Sequence, residues 1–121
     1  MNEKVLIVDD QSDIRQLIRV TLGKSYETLE AEDGVAALSI IRNSHPRVVI
    51  LDVMMPGEMD GLKVLDAVKS DPALRDIRII MVTARGQALD YEAGMSRGAD
   101  GYFVKPFSPL QLSNMVREFM K

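Results

Sequence analysis

Two hydrophobic rhythms alternate along the chain. Residues 5–8 (VLIV), 48–51 (VVIL) and 77–82 (IRIIMV) are short, mainly apolar runs rich in branched side chains, the pattern of strands covered on both faces. Residues 26–31 (YETLEA) instead alternate polar with apolar positions, which suits an edge strand with one side in water. Gly101–Val104 reads as a fifth short strand. Between the strands, apolar residues recur at helical spacing: Ile14, Leu17, Ile18 and Leu22; Val35, Leu38 and Ile40 or Ile41; Leu62, Leu65 and Val68. The last helix is the best delimited. Ser108 can cap it, Pro109 fits its first turn and Gln111 completes a capping box, ahead of a stripe of Leu112, Met115, Val116 and Phe119. The fourth helix, about residues 87–97, carries Gly94 in its interior and a thin apolar face, which predicts a mobile element.

The order is strand–helix five times over, with short connections and no internal repeat. Right-handed crossovers make this an open α/β fold, a doubly wound (βα)5 parallel sheet. Two apolar strands in the middle and the second strand at an edge predict the order 2-1-3-4-5. In such a sheet a ligand site lies beyond the carboxyl ends of the strands, where the order reverses between strands one and three. At 121 residues the chain is read as one domain spanning 1–121.

The residues at those carboxyl ends are polar. Strand one ends in Asp9 and Asp10, strand three in Asp52, strand four in Thr83 and strand five in Lys105. Singly, each has a plain structural reading: adjacent acids are often solvated turn residues, a Lys before Pro a surface residue, a strand-end Thr merely β-branched. Together they fall on one rim from four strands. Three converging carboxylates repel one another and need a cation or raised pKa values. An oxygen-only donor set favours a hard ion, and Mg²⁺ keeps open positions for phosphate. Thr83 offers a hydroxyl and Lys105 a compact positive charge, which with Mg²⁺ would clamp a phosphoryl group in transfer. Asp52, at the centre, is the expected nucleophile, forming an aspartyl phosphate.

The runs VLIVDD, LDVMMPG, MDG, MVTA and GADGYFVKPF, in this order over the whole chain, resemble those of bacterial response-regulator receiver domains, of the chemotaxis-regulator-like superfamily. The resemblance implies a flavodoxin-like fold and a histidine kinase, or a histidine phosphotransfer protein, as phosphodonor. It implies that Asp10 and Asp52 ligate Mg²⁺ with the Met54 main-chain carbonyl, and that Asp9 acts through water. Thr83 and Lys105 would bind the phosphoryl oxygens, the Lys105–Pro106 peptide would be cis, and Tyr102 would turn inward when Thr83 moves. A departure lies in residues 56–61, Pro-Gly-Glu-Met-Asp-Gly, where many family members read one residue shorter. The extra residue lengthens the loop after Asp52 and leaves the ligands in place. Met54 and Arg85, two residues beyond Asp52 and Thr83, cannot act as a base on an attacking water, so a phosphate lasting minutes is expected.

Composition narrows the partners. A net charge of −3 gives no basic face for nucleic acid, and the lack of cysteine removes disulfides, thiolate metal sites and thiol nucleophiles. No apolar run approaches the roughly 20 residues of a membrane span, and no signal peptide is visible, so a cytoplasmic protein is expected. A flavodoxin would need a Ser/Thr/Gly-rich phosphate cradle after strand one, where Asp9 and Asp10 would repel phosphate. A haloacid-dehalogenase-like phosphatase would need a D-x-D pattern there, which Asp9-Asp10-Gln11 does not supply. The expected protein is a phosphoacceptor switch rather than an enzyme, signalling to a downstream protein or output domain. A single-domain regulator is favoured over a receiver cut from a winged-helix transcription factor, and helix four, strand five and helix five are the expected dimer face. His45, before Pro46, reads as surface, Met54, Met55 and Met59 as padding, and Phe103 and Phe107 as packing residues.

Overall fold

The computed structural model describes residues 3–84 and 88–121. Its elements run β1 (Lys4–Val8), α1 (Ser12–Leu22), a short 3-10 turn (Gly23–Ser25), β2 (Glu27–Ala31), α2 (Gly34–Ser44), β3 (Val48–Asp52), α3 (Gly61–Ser70), β4 (Arg78–Thr83), α4 (Ala88–Ser96), β5 (Gly101–Val104) and α5 (Pro109–Phe119). The strands form one parallel sheet in the order β2-β1-β3-β4-β5. This is the flavodoxin-like (βα)5 fold expected from the sequence.

Strand alternation sorts the core into two layers. Leu6, Val8, Val49, Leu51, Ile79 and Met81 face α2 and α3 with Ala37, Ile41, Val64, Leu65 and Val68. Val5, Ile7, Val48, Ile50, Ile80 and Val82 face α1 and α5 with Ile18, Leu22, Leu112 and Val116. Full burial of each such side chain contributes about 1.5–3 kcal/mol, which explains why β1, β3 and β4 carry unbroken apolar runs. Phe103 and Phe107 pack on the α1/α5 layer with ring centroids 6.4 Å apart, and the Lys105–Pro106 peptide is cis.

Local signals set the helix ends. Asp33 accepts a hydrogen bond from the Ala36 N–H (2.8 Å), Asp60 from Lys63 (2.9 Å) and Ser108 from Gln111 (3.3 Å), starting α2, α3 and α5. His45 is exposed and closes α2 in a left-handed conformation at φ 46°.

Two expected core positions are corrected. Leu17 is 44% exposed, because the inward line of α1 runs through half-buried Ile14 and Arg15 to Ile18 and Leu22. Val35 is 68% exposed; the buried line of α2 is Gly34, Ala37, Leu38 and Ile41, of which the small Gly34 and Ala37 are underweighted by apolar spacing. The strand limits also move: β2 starts at Glu27 and β4 at Arg78. The expected start of the fourth helix at Gln87, like Arg85, lies outside the described residues. Met55 is buried and Met59 half-buried, but Met54 is exposed. Among the described residues, no helix is long and apolar enough to cross a membrane.

Candidate functional site

At the carboxyl end of the sheet, Asp52 is the last residue of β3 and Thr83 the last of β4, while Asp9, Asp10 and Lys105 directly follow β1 and β5. The five expected residues therefore share one rim. Asp9, Asp52 and Thr83 are buried and Asp10 is exposed. Asp9, Asp10 and Asp52 each offer a carboxylate oxygen, all within 4.8 Å of one another. Lys105 Nζ lies 3.0 Å from Asp9 Oδ2 and 3.6 Å from Asp52 Oδ2. Asp9 Oδ1 accepts from the Gln11 N–H at 2.9 Å, and Asp52 Oδ1 accepts from the Met54 N–H at 3.3 Å. The Met54 main-chain N–H thus lies beside the Asp52 carboxylate.

The electrostatics match this crowding. Burial first, then the negative charge of Asp9, pushes the Asp52 carboxyl up to about 6; Lys105 and the Met54 N–H oppose the rise, and Asp10 adds to it. Burial pulls the Lys105 ammonium down, but its hydrogen bond to Asp9 and the charges of Asp52 and Asp9 prevail and leave it above the ordinary lysine value. Three carboxylates with one lysine leave a surplus of negative charge, and the donor set is all oxygen. These residues fit a hard divalent cation such as Mg²⁺.

Glycines allow the rim to close. A Cβ on Gly61 would collide with the Asp52 carbonyl oxygen and with Val53, so the first residue of α3 rests on the backbone of the central aspartate. The Gly61 N–H donates to the Val53 carbonyl at 3.0 Å. The loop between them turns at Gly57 (φ 93°), and the Glu58 carbonyl accepts from Lys63 Nζ at 2.8 Å. Met59 lies against Gly34 with no room for a Cβ there. Beside this loop the three carboxylates converge.

Thr83 and Tyr102 occupy the other side of the rim. Tyr102 is half-buried against the α2/α3 layer and in register with Met81, while Thr83 follows Met81 by two residues and so falls on the same face of the sheet. The Lys105 N–H donates to the Thr83 carbonyl at 2.7 Å, tying β5 to β4 at this end.

Sequence reasoning passed over Arg15 and Glu30. Arg15 Nη1 donates to the Asp9 main-chain carbonyl at 2.7 Å, and its Nε pairs with Glu30 at 3.0 Å. The visible signal was a cation within the inward line of α1, and an acid on β2 in register with Ile7.

A parallel sheet with an acidic triad, a lysine and a threonine at its carboxyl rim is a receiver-like arrangement. The sequence profile of the response regulator receiver domain matches residues 5–117, and the chain belongs to that family. It is 45% identical over 116 residues to the ycf27 protein of Galdieria sulphuraria, covering 95% of this chain and 44% of that protein. It is 34% identical to the phosphate regulon transcriptional regulatory protein PhoB of Klebsiella pneumoniae, covering 100% of this chain and 53% of the relative. The chain therefore spans about half the length of the curated relatives it matches. The chemotaxis response regulator CheY4 of Vibrio cholerae superposes with a TM-score of 0.87 at 34% identity, covering 98% of this chain and 99% of that one.

Proposed function

We propose that the chain is a Mg²⁺-dependent phosphoacceptor switch in which Asp52 takes a phosphoryl group from a phosphohistidine of a histidine kinase or a histidine phosphotransfer protein. The carrying observation is the convergence of Asp9, Asp10 and Asp52 within 4.8 Å, with Lys105 against two of them. A carboxylate oxygen of Asp52 attacks phosphorus as the N–P bond breaks, and the leaving imidazole takes up a proton. Asp10, Asp52 and the Met54 carbonyl would hold the ion, Asp9 acting through water. The bound ion would neutralise charge on the transferring oxygens. Lys105 turns its ammonium to the phosphoryl group, and the Thr83 hydroxyl donates to it.

Readout follows from the shared face of Thr83 and Tyr102. Thr83 drawn toward the phosphoryl group vacates space that Tyr102 fills, and the α4–β5–α5 face changes. Each of these elements carries an exposed large apolar side chain, Met95, Val104 and Leu110, which suits a protein target, an output domain or a second copy. Met54 is 59% exposed, and its thioether cannot take a proton from water, so the phosphate persists for minutes. The whole chain, 1–121, acts as one such domain, in the cytoplasm.

With acetyl phosphate and Mg²⁺, intact mass should rise by one phosphoryl group, and EDTA or Asp52→Asn should abolish the gain. Phosphorylation of the Asp52→Asn chain would overturn the assignment. Beryllofluoride with Mg²⁺ should shift amide signals through α4, β5 and α5; shifts confined to the rim would remove the switch.

A further inference from the structure

Asp9 and Asp10 sit on a tight turn between β1 and α1, and that turn is held from four directions. The Asp9 N–H donates to the Ala31 carbonyl of β2 at 3.1 Å, and its carboxylate accepts from the Gln11 N–H. Lys105 Nζ holds the other carboxylate oxygen at 3.0 Å, and the fourth hold is Arg15 Nη1 on the Asp9 carbonyl at 2.7 Å. Gln11 gives α1 no side-chain cap, so the turn depends on these contacts.

Arg15 is itself fixed. Its Nε donates to Glu30 Oε1 at 3.0 Å, while Arg19 Nη1 holds the other oxygen at 2.8 Å. The Arg15 side chain is only 16% exposed, against 49% for Arg19. An arginine fork shared between a carbonyl and a carboxylate has little freedom left, because its donors lie in one plane. The guanidinium thus joins the edge strand to the backbone carrying two of the three acids.

We propose that Arg15 is a positioning residue for the acidic pair, with Glu30 as its orienting partner, and that this clamp sets the divalent-cation affinity of the rim. The inference rests on the metal reading above. Groups one step removed from metal ligands change affinity by about 10- to 100-fold when lost. Arg15 holds the Asp9 carbonyl, the peptide that leads into the ligand Asp10, and so acts on a ligand through the main chain alone; the lower end of that range applies.

The test titrates the full chain with Mg²⁺ and follows the Gln11 and Met54 amide signals, with thermal melting in EDTA alongside. Arg15→Ala should weaken Mg²⁺ about tenfold. Ile18→Val, which loosens the core beneath the same helix, should lower the melting point and leave Mg²⁺ affinity unchanged. Glu30→Gln, which leaves two guanidiniums competing for one good acceptor, should weaken Mg²⁺ about threefold. Wild-type affinity in folded Arg15→Ala overturns the clamp, as does wild-type affinity in Glu30→Gln should Arg15→Ala not fold. A wild-type chain that ignores Mg²⁺ instead overturns the metal reading on which the clamp rests.

Discussion

The two ends of the sheet use the same ingredients to opposite effect. At the amino end of β4, Lys69 Nζ donates to the Arg75 carbonyl (3.0 Å), the Ile77 carbonyl (2.8 Å) and Asp100 Oδ2 (3.0 Å). Asp100 also accepts from the Ile79 N–H at 2.9 Å and from Arg78 at 3.1 Å. Two cations and an amide surround one acid, and the cluster is closed. At the carboxyl end, one lysine faces three acids and its second contact is stretched to 3.6 Å. A lysine–aspartate pair is therefore a pin where its valences are filled and a receptor where charge is left over.

The largest difference should appear on breaking each pair. Asp100→Ala strips partners from Lys69, Arg78 and the Ile79 amide at once, and should lower unfolding free energy by about 2–3 kcal/mol in urea melts. Lys105→Met should cost less, about 1 kcal/mol with Mg²⁺ present, because the cation compensates the buried acids left behind, while slowing phosphorylation by acetyl phosphate. Equal losses at the two ends would erase the contrast.

A smaller effect carries the opposite sign. Asp52 titrates at about 6 in the folded chain and from 3.8 when unperturbed. Between those values the folded form binds more protons, so stability falls as pH rises through that window, and the loss is complete above it. Asp52→Asn removes the loss. Near pH 7 in EDTA it should be more stable than wild type by about 1–2 kcal/mol, less than the full shift implies because an amide does not reproduce the protonated carboxyl it replaces. An Asp52→Asn chain less stable than wild type would show that the surplus charge is no burden. The smallest effect is on titration itself: because the Lys105 charge lowers the Asp52 value, Lys105→Met should raise the NMR-detected midpoint above about 6.

The parallel core was legible because strands buried on both faces must be apolar throughout, as Val48–Asp52 is until its last residue. The rim was legible because polar residues, acids after β1 and at the end of β3, Thr83 on β4 and Lys105 after β5, interrupt the strands at the same end. Val35 misled because an apolar residue in a first helical turn can overhang the core rather than enter it. The Arg15–Glu30 and Lys69–Asp100 contacts were invisible for a different reason. Charged residues on helices and in turns are mostly solvated, and only three-dimensional register shows which of them meet. Residues 15 and 30 meet through the pairing of β1 with β2, and residues 69 and 100 are brought together by packing of α3 near the start of β5.

Gly61 against the Asp52 carbonyl bears on how this protein can be altered. The segment between them is a closed loop with welded ends, so its contour length and the spacing of its anchors are decoupled. Gly57, at positive φ with open space around the position of a Cβ, marks the part that absorbs added length. Loop closure entropy grows only as the logarithm of length, about 0.6 kcal/mol per doubling. A tag or reporter spliced in at Gly57 would thus hang outward from the rim, next to the phosphoacceptor and mechanically isolated from it.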